Sequence, residues 1–242
     1  MTEPVAAWRD PNLDRKDTLM TSALLQQEET FPLVSLFEVS LSGLCNRQCP
    51  FCPRADHRVY PNVNEFITPS LHTKMMRELE ALRYTGLIVY SGYSEPLIHK
   101  GIDRLVQEAR SRCPKAKIEV YTNGDFLTVE LLRRLFQAGL DTVLVSLYDG
   151  PQQIPHFATM RAAAGLTDRQ FMVRERYLLD QGAGMHLSNR AGTIDFKRMH
   201  LEPLRDSLPR PCYLPFYMMM VDHTGAVFLC SHDWIKIGRA HV

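Results

Sequence analysis

From residue 31 onward the chain repeats one unit: a short apolar run, a polar or glycine-rich loop, and an amphipathic helix. No other feature restricts the fold as much. Apolar runs at 33–41, 87–90, 117–121, 142–147 and 184–188 read as strands. Segments 69–83, 101–112, 129–137 and 168–179 carry apolar residues at helical spacing. Ser70 is the expected N-cap of the first helix, and Gly139 closes the third. Strands separated by helices pair in parallel through right-handed crossovers, so the fold class is α/β. The pattern alone does not choose between a doubly wound sheet and a barrel. In both, chemistry sits at the C-terminal ends of the strands.

At 242 residues the chain can bury one substantial core, or one domain with an appendage. A formal net charge of +1 gives no reason to expect nucleic acid or an anionic membrane as partner. Residues 1–11 carry Glu3 and Asp10 and no apolar segment, unlike a signal peptide. The apolar run at 213–221 is broken by Pro215 and is too short to span a bilayer. Six cysteines without a secretory signal read as metal or redox ligands in a reducing compartment, so the cytoplasm is expected. Residues 1–30 read as an N-terminal extension without chemistry.

Three of those cysteines, Cys45, Cys49 and Cys52, form a C-x3-C-x2-C run directly after the first strand. Thiolates this close select zinc or an iron–sulfur cluster over hard cations. Three local ligands leave the fourth corner of the site open, as a catalytic centre requires. The competing reading is a closed zinc site begun by Cys49, Cys52 and His57. Its next ligand position falls on Asn62, so that site needs a distant partner.

The run Cys45 to Cys52, with Phe51 as the aromatic before the last cysteine, resembles the signature of radical S-adenosylmethionine (SAM) enzymes. The resemblance implies a partial (β/α)6 barrel of the TIM type over residues 31–205. It implies a [4Fe–4S] cluster on Cys45, Cys49 and Cys52, with SAM on the fourth iron and Phe51 beside it. Reductive cleavage of SAM to a 5′-deoxyadenosyl radical is then the expected activity. An electron donor such as flavodoxin or ferredoxin is the implied partner. The loop Ser91-Gly92-Tyr93-Ser94-Glu95-Pro96 is similar to the family's turn that binds the SAM amino group. Gly92 and Glu95 fit that role, whereas Tyr93 and Ser94 stand where glycines are usual. Ser146 is placed at a cosubstrate contact, as are Asn189 and Arg190 after the expected fifth strand. Thr122-Asn123-Gly124 resembles a turn common in the auxiliary-cluster subgroup. Tyr148, Asp149 and His186 are pocket candidates without a role.

Residues 206–236 resemble the start of a SPASM or twitch domain, a small C-terminal unit built on a β-hairpin. Its Asp222-x-x-Gly225 turn brings Cys212 and Cys230 toward each other, and the resemblance makes them ligands of a possible auxiliary [4Fe–4S] cluster. The further cysteines of that pattern are missing. Residues 237–242 have no pattern of an element and match one reading frame of a sequencing adapter, so they read as a non-native tail on a C-terminally truncated chain. Cys113 reads as a small structural residue. The expected reaction is hydrogen abstraction from an unnamed substrate, with alcohol dehydrogenation of a sugar or cyclitol as one outcome. Modification of a peptide or protein is the alternative. A zinc module using Cys212, Cys230 and His232 is the alternative of another class.

Overall fold

Short Val-, Ile- and Leu-rich strands buried on both faces suit a parallel sheet covered by helices. The computed structural model describes residues 34–177, 192–196 and 214–236, and the backbone of 239–241. In chain order its strands are β1 Leu36–Val39, β2 Ser42–Gly43, β3 Val63–Phe66, β4 Leu87–Tyr90, β5 Lys117–Thr122, β6 Thr142–Leu147, β7 Phe171–Glu175, β8 Met218–Val221, β9 Ala226–Phe228 and β10 Arg239–His241. The helices are α1 Pro69–Ala81, α2 Ile102–Arg112, α3 Val129–Gln137, α4 Gln153–Ala164 and the single turn α5 Leu214–Tyr217.

Eight strands form one sheet in the order β10-β9-β8-β1-β4-β5-β6-β7, and β2 pairs with β3 in a separate ribbon. Strands β8, β1, β4, β5, β6 and β7 run parallel, while β9 and β10 are antiparallel at one edge. Side-chain alternation sorts the strands onto two faces. Phe37, Val39, Ile88, Tyr90, Ile118, Val120, Val143 and Val145 join the core shared with the helices, including Met75, Met76, Val106, Leu132 and Leu135. Leu36, Leu87, Val89 and Met218 pack together on the other face. This is the α/β parallel sheet expected from the sequence, curved as a partial barrel.

Several elements differ from expectation. The N-cap of α1 is Thr68, not Ser70: the Thr68 hydroxyl accepts from the Leu71 amide at 3.2 Å. Segment 168–179, expected as a helix, contains strand β7 instead. Arg, Glu and Met favour a helix locally, but pairing with β6 from Phe171 to Glu175 overrides that preference. The helix of this unit is α4, which its proline disguised. Pro155 lies in the first turn, where no N–H is needed. Gly165, at φ 70°, ends α4 in the left-handed conformation. Residues 239–241, read as patternless, form β10 on β9. Pairing at a sheet edge requires only an extended backbone with free donors and acceptors. The expected hairpin forms, and its first strand pairs in parallel with β1 along Leu36–Met218 to Val39–Val221, so it continues the main sheet. The strand expected at 184–188 lies outside the described residues.

Candidate active site

The cysteine loop leaves β1 through the ribbon β2–β3 and turns back across the C-terminal ends of the strands. Two residues fix its backbone. Asn62 holds both sides of Cys45, accepting from its amide and donating to its carbonyl at 3.0 Å each. The Cys52 amide donates to the Cys49 carbonyl at 2.9 Å, and the Ala55 amide to that of Cys52 at 2.9 Å. Arg54, only 4% exposed, donates to the Tyr93 carbonyl at 2.7 Å and to Asn62 Oδ1 at 2.5 Å. Its guanidinium lies 4.8 Å from the Tyr60 ring centroid. A buried cation with these partners is compensated, though burial still lowers its pKa.

Arg47 braces the loop from the other side. It forks onto Asp125 at 2.5 and 2.6 Å and onto Asp149 at 2.7 Å twice. These bonds hold Asp149 below the usual carboxylate range. Asn46 donates to Asp125 at 2.6 Å and accepts from the Asn123 amide group at 2.8 Å. The loop is thus tied to the ends of both β5 and β6. Phe51 stacks on Tyr148 at 5.7 Å.

Cys45, Cys49 and Cys52 are half-buried free thiols. Burial pushes the Cys49 thiol up to about 12, helped by the nearby Cys52 and Cys45, and raises Cys45 for the same leading reason. Among the described residues no three Cys, His, Asp or Glu side chains already converge as a metal cage. The donor set fits an iron–sulfur cluster, with three soft ligands on one braced loop and, among the described residues, no fourth gathered with them. His57 is exposed and Asn62 is spent on Cys45, which disfavours the local zinc site.

Gly92 and Glu95 lie at the end of β4 beside this loop. Gly92 has φ 79°, and a Cβ there would run into Met220 Cε and meet Ser40 Oγ at 2.5 Å. Only glycine suits the position. Glu95 is 3% exposed and accepts from Thr122 Oγ1 at 2.5 Å and from the amides of Asn123 and Leu97 at 2.8 and 3.1 Å. Burial nevertheless raises its carboxyl to about 7 against the pull of those bonds. Glu95 therefore binds the Thr122-Asn123-Gly124 turn, and one of its acceptor positions stays uncommitted by these three bonds.

Ser146 is buried on β6 and accepts from Arg174 of β7 at 3.3 Å, its register partner. It also bonds the Tyr148 hydroxyl. A cavity of about 340 Å³ opens between the cysteine loop and the ends of β6 and β7, lined by Arg47, Cys49, Phe51, Tyr148, Asp149 and Arg176 among others. The structure thus brings together Cys45, Cys49, Cys52, Phe51, Gly92, Glu95 and Ser146. Asn189, Arg190, His186 and Cys212 lie outside the described residues. Cys230 is half-buried, its sulfur accepting from the His232 amide at 3.4 Å. Sequence reasoning missed Arg174 and Arg176 because their segment was read as a helix. The order Phe-Met-Val before them, rich in strand formers, was the available signal. Arg47, with partners 78 and 102 residues away, had none.

A parallel α/β sheet with a trio of thiols, a buried carboxylate and a cavity at one rim defines an enzyme scaffold built around a soft-metal cofactor. The chain belongs to the radical SAM superfamily, whose family model matches residues 39–165. It is 29% identical over 216 residues to the S-adenosyl-L-methionine-dependent 2-deoxy-scyllo-inosamine dehydrogenase of Niallia circulans, covering 87% of this chain and 81% of that protein. It is 30% identical over 139 residues to the GTP 3',8-cyclase of Mycobacterium marinum, covering 54% of this chain and 35% of that protein. Among solved structures it is similar to BtrN in complex with AdoMet and 2-DOIA, with TM-score 0.69 and 25% identity over 86% of this chain and 77% of the other. The chain is accordingly a radical SAM enzyme of oxidoreductase type, with a [4Fe–4S] cluster and SAM as its cofactors. No helix among the described residues is long and apolar enough to cross a membrane.

Proposed function

We propose that this enzyme oxidises a hydroxyl group of a small polyhydroxylated ring, of the sugar or cyclitol class, to a carbonyl. The observation that carries the reading is similarity along most of both chains to a SAM-dependent dehydrogenase of such a ring. The inner face of the sheet supports it. Glu38 and Glu119 stand in register on either side of Val89, 8% and 1% exposed, with the Tyr121 hydroxyl donating to Glu119 at 2.9 Å. Polar groups within an otherwise apolar wall suit a ligand rich in hydroxyls.

Cys45, Cys49 and Cys52 would hold the cluster, and Glu95 with Gly92 would receive the SAM ammonium. When bound and reduced, the cluster and SAM supply a 5′-deoxyadenosyl radical that removes one hydrogen atom from substrate. The protein's own work is positional. Arg47 and Arg54 fix the loop, Phe51 and Tyr148 line the cavity, and Ser146 and Arg174 would offer a hydroxyl and a guanidinium to the cosubstrate's polar groups. Conversion of alcohol to carbonyl then releases one proton and one electron. An auxiliary cluster on Cys212 and Cys230 is the proposed electron acceptor, and an external one-electron reductant such as flavodoxin starts the cycle.

The test is anaerobic reconstitution with iron and sulfide, then reductant, SAM and a panel of amino- and deoxycyclitols. We expect 5′-deoxyadenosine and a carbonyl product, both lost in Cys49→Ala. A colourless, zinc-loaded protein that makes neither would overturn the reading.

A further inference from the structure

Tyr93 stands where a glycine is usual, and its surroundings give it a purpose. Its ring is 2% exposed and packs on Trp234 at 4.4 Å, Phe228 at 5.2 Å and Tyr60 at 5.6 Å. Trp234 also meets Tyr60 edge-on at 4.7 Å. Met220 and Ala226 belong to this cluster, and Cys52 packs against it. The Tyr93 hydroxyl lies 3.2 Å from the Cys230 carbonyl and 3.1 Å from that of Asp233, so its single proton spans the turn after β9. Its own carbonyl accepts from Arg54, two residues after Cys52. Its amide donates to Ser40 at 2.7 Å, at the end of β1.

One residue therefore joins three segments far apart in sequence: the cysteine loop through Arg54 and Cys52, the turn of Gly92 to Glu95, and the turn of Cys230 to Trp234. We infer that Tyr93 is a positioning residue that makes the turn 230–234 a supporting wall of the cysteine loop. The turn after β9 then acts on Cys52 mechanically, whatever ligand Cys230 itself takes. Loss of the Tyr93 hydroxyl frees the turn, the aromatic wall relaxes, and Cys52 and Arg54 lose their backing. The physical ground is that buried aromatic clusters and charge-assisted bonds to carbonyls hold backbone more rigidly than exposed loop contacts do.

The experiment compares wild type, Tyr93→Phe and Tyr84→Phe by amide hydrogen exchange on the cluster-free chain. Tyr84 is the control, a buried tyrosine whose hydroxyl donates to the Leu87 carbonyl at 3.2 Å, far from this wall. Loss of one buried hydrogen bond predicts roughly tenfold faster exchange in Tyr93→Phe at both 49–55 and 230–234, with Tyr84→Phe unchanged there. Trp234→Phe, which keeps an aromatic ring, is the second variant if Tyr93→Phe does not fold, and the same pattern is expected. Faster exchange confined to 230–234, or equal acceleration in Tyr84→Phe, would overturn the inference. A second arm measures iron retained per chain after anaerobic reconstitution and gel filtration, expected to fall at least about twofold in Tyr93→Phe only. This arm rests on the proposed radical site. A wild-type chain that takes up no iron would overturn that proposal, while the exchange data would still decide this one.

Discussion

Glu95 is held between two opposing influences. Two amides and the Thr122 hydroxyl favour its charged form, yet burial wins and its carboxyl titrates near 7. An ammonium group set against it would reverse the balance and expel the proton. If SAM sits at this residue as proposed, its binding releases a proton below pH 7, and affinity rises with pH. By linkage, SAM should bind the reconstituted enzyme about tenfold more weakly at pH 6 than at pH 8. Equilibrium dialysis at several pH values measures this, and a flat profile would remove Glu95 from the ammonium site. The Glu-Pro motif made Glu95 visible in the sequence. Its bonds to Thr122 and Asn123 were not visible, because they join two strand ends that only the folded sheet places side by side.

Among the elements, α1, α2 and β4 meet at a buried histidine. His72 of α1 is wholly buried, with Nδ1 2.8 Å from Glu108 of α2 and Nε2 2.9 Å from the Tyr90 hydroxyl of β4. Burial lowers its pKa, although Glu108 pulls the other way. Unfolded histidine titrates near 6.5. The unfolded chain thus binds more protons than the folded one below that pH, and the contribution of His72 is present above about pH 6.5 and lost as pH falls. His72→Gln should destabilise the protein by about 1–3 kcal/mol at pH 7.5, and the gap should narrow toward pH 5.5. Urea unfolding at the two pH values checks this; an unchanged gap would mean that His72 carries the same charge folded and unfolded. Elements with a clean period and a local cap were legible in sequence. β4, α3 and β6 fall where the apolar spacing put them, with Thr128 capping α3. β7 and α4 were not legible, since one depends on a partner strand and the other hides its start behind Pro155.

For the whole molecule, Arg47 is the brace that holds the cysteine loop over the sheet. Its two forks reach β5's and β6's ends at once, with its own side chain 19% exposed. Exposed ion pairs contribute little, but paired bidentate geometry with partial burial contributes more. Arg47→Met should cost about 1–2 kcal/mol of stability in the cluster-free chain, and Arg47→Lys should recover less than half of it, because an ammonium cannot fork onto two carboxylates. Thermal or urea unfolding of the three proteins decides this, and full recovery by lysine would reduce the brace to simple charge.

The pairing of β8 with β1 also bears on how the molecule comes into being. β1 is the first strand described, and the Ser35 hydroxyl finds its acceptor at the Tyr217 carbonyl, 182 residues later. Until that stretch has left the ribosome, β1 carries a bare row of donors and acceptors that any passing strand can satisfy. Long-range parallel pairing of this kind forms slowly. The nascent chain should therefore depend on chaperone cover, or on slow translation, until residue 221 is free to close the gap.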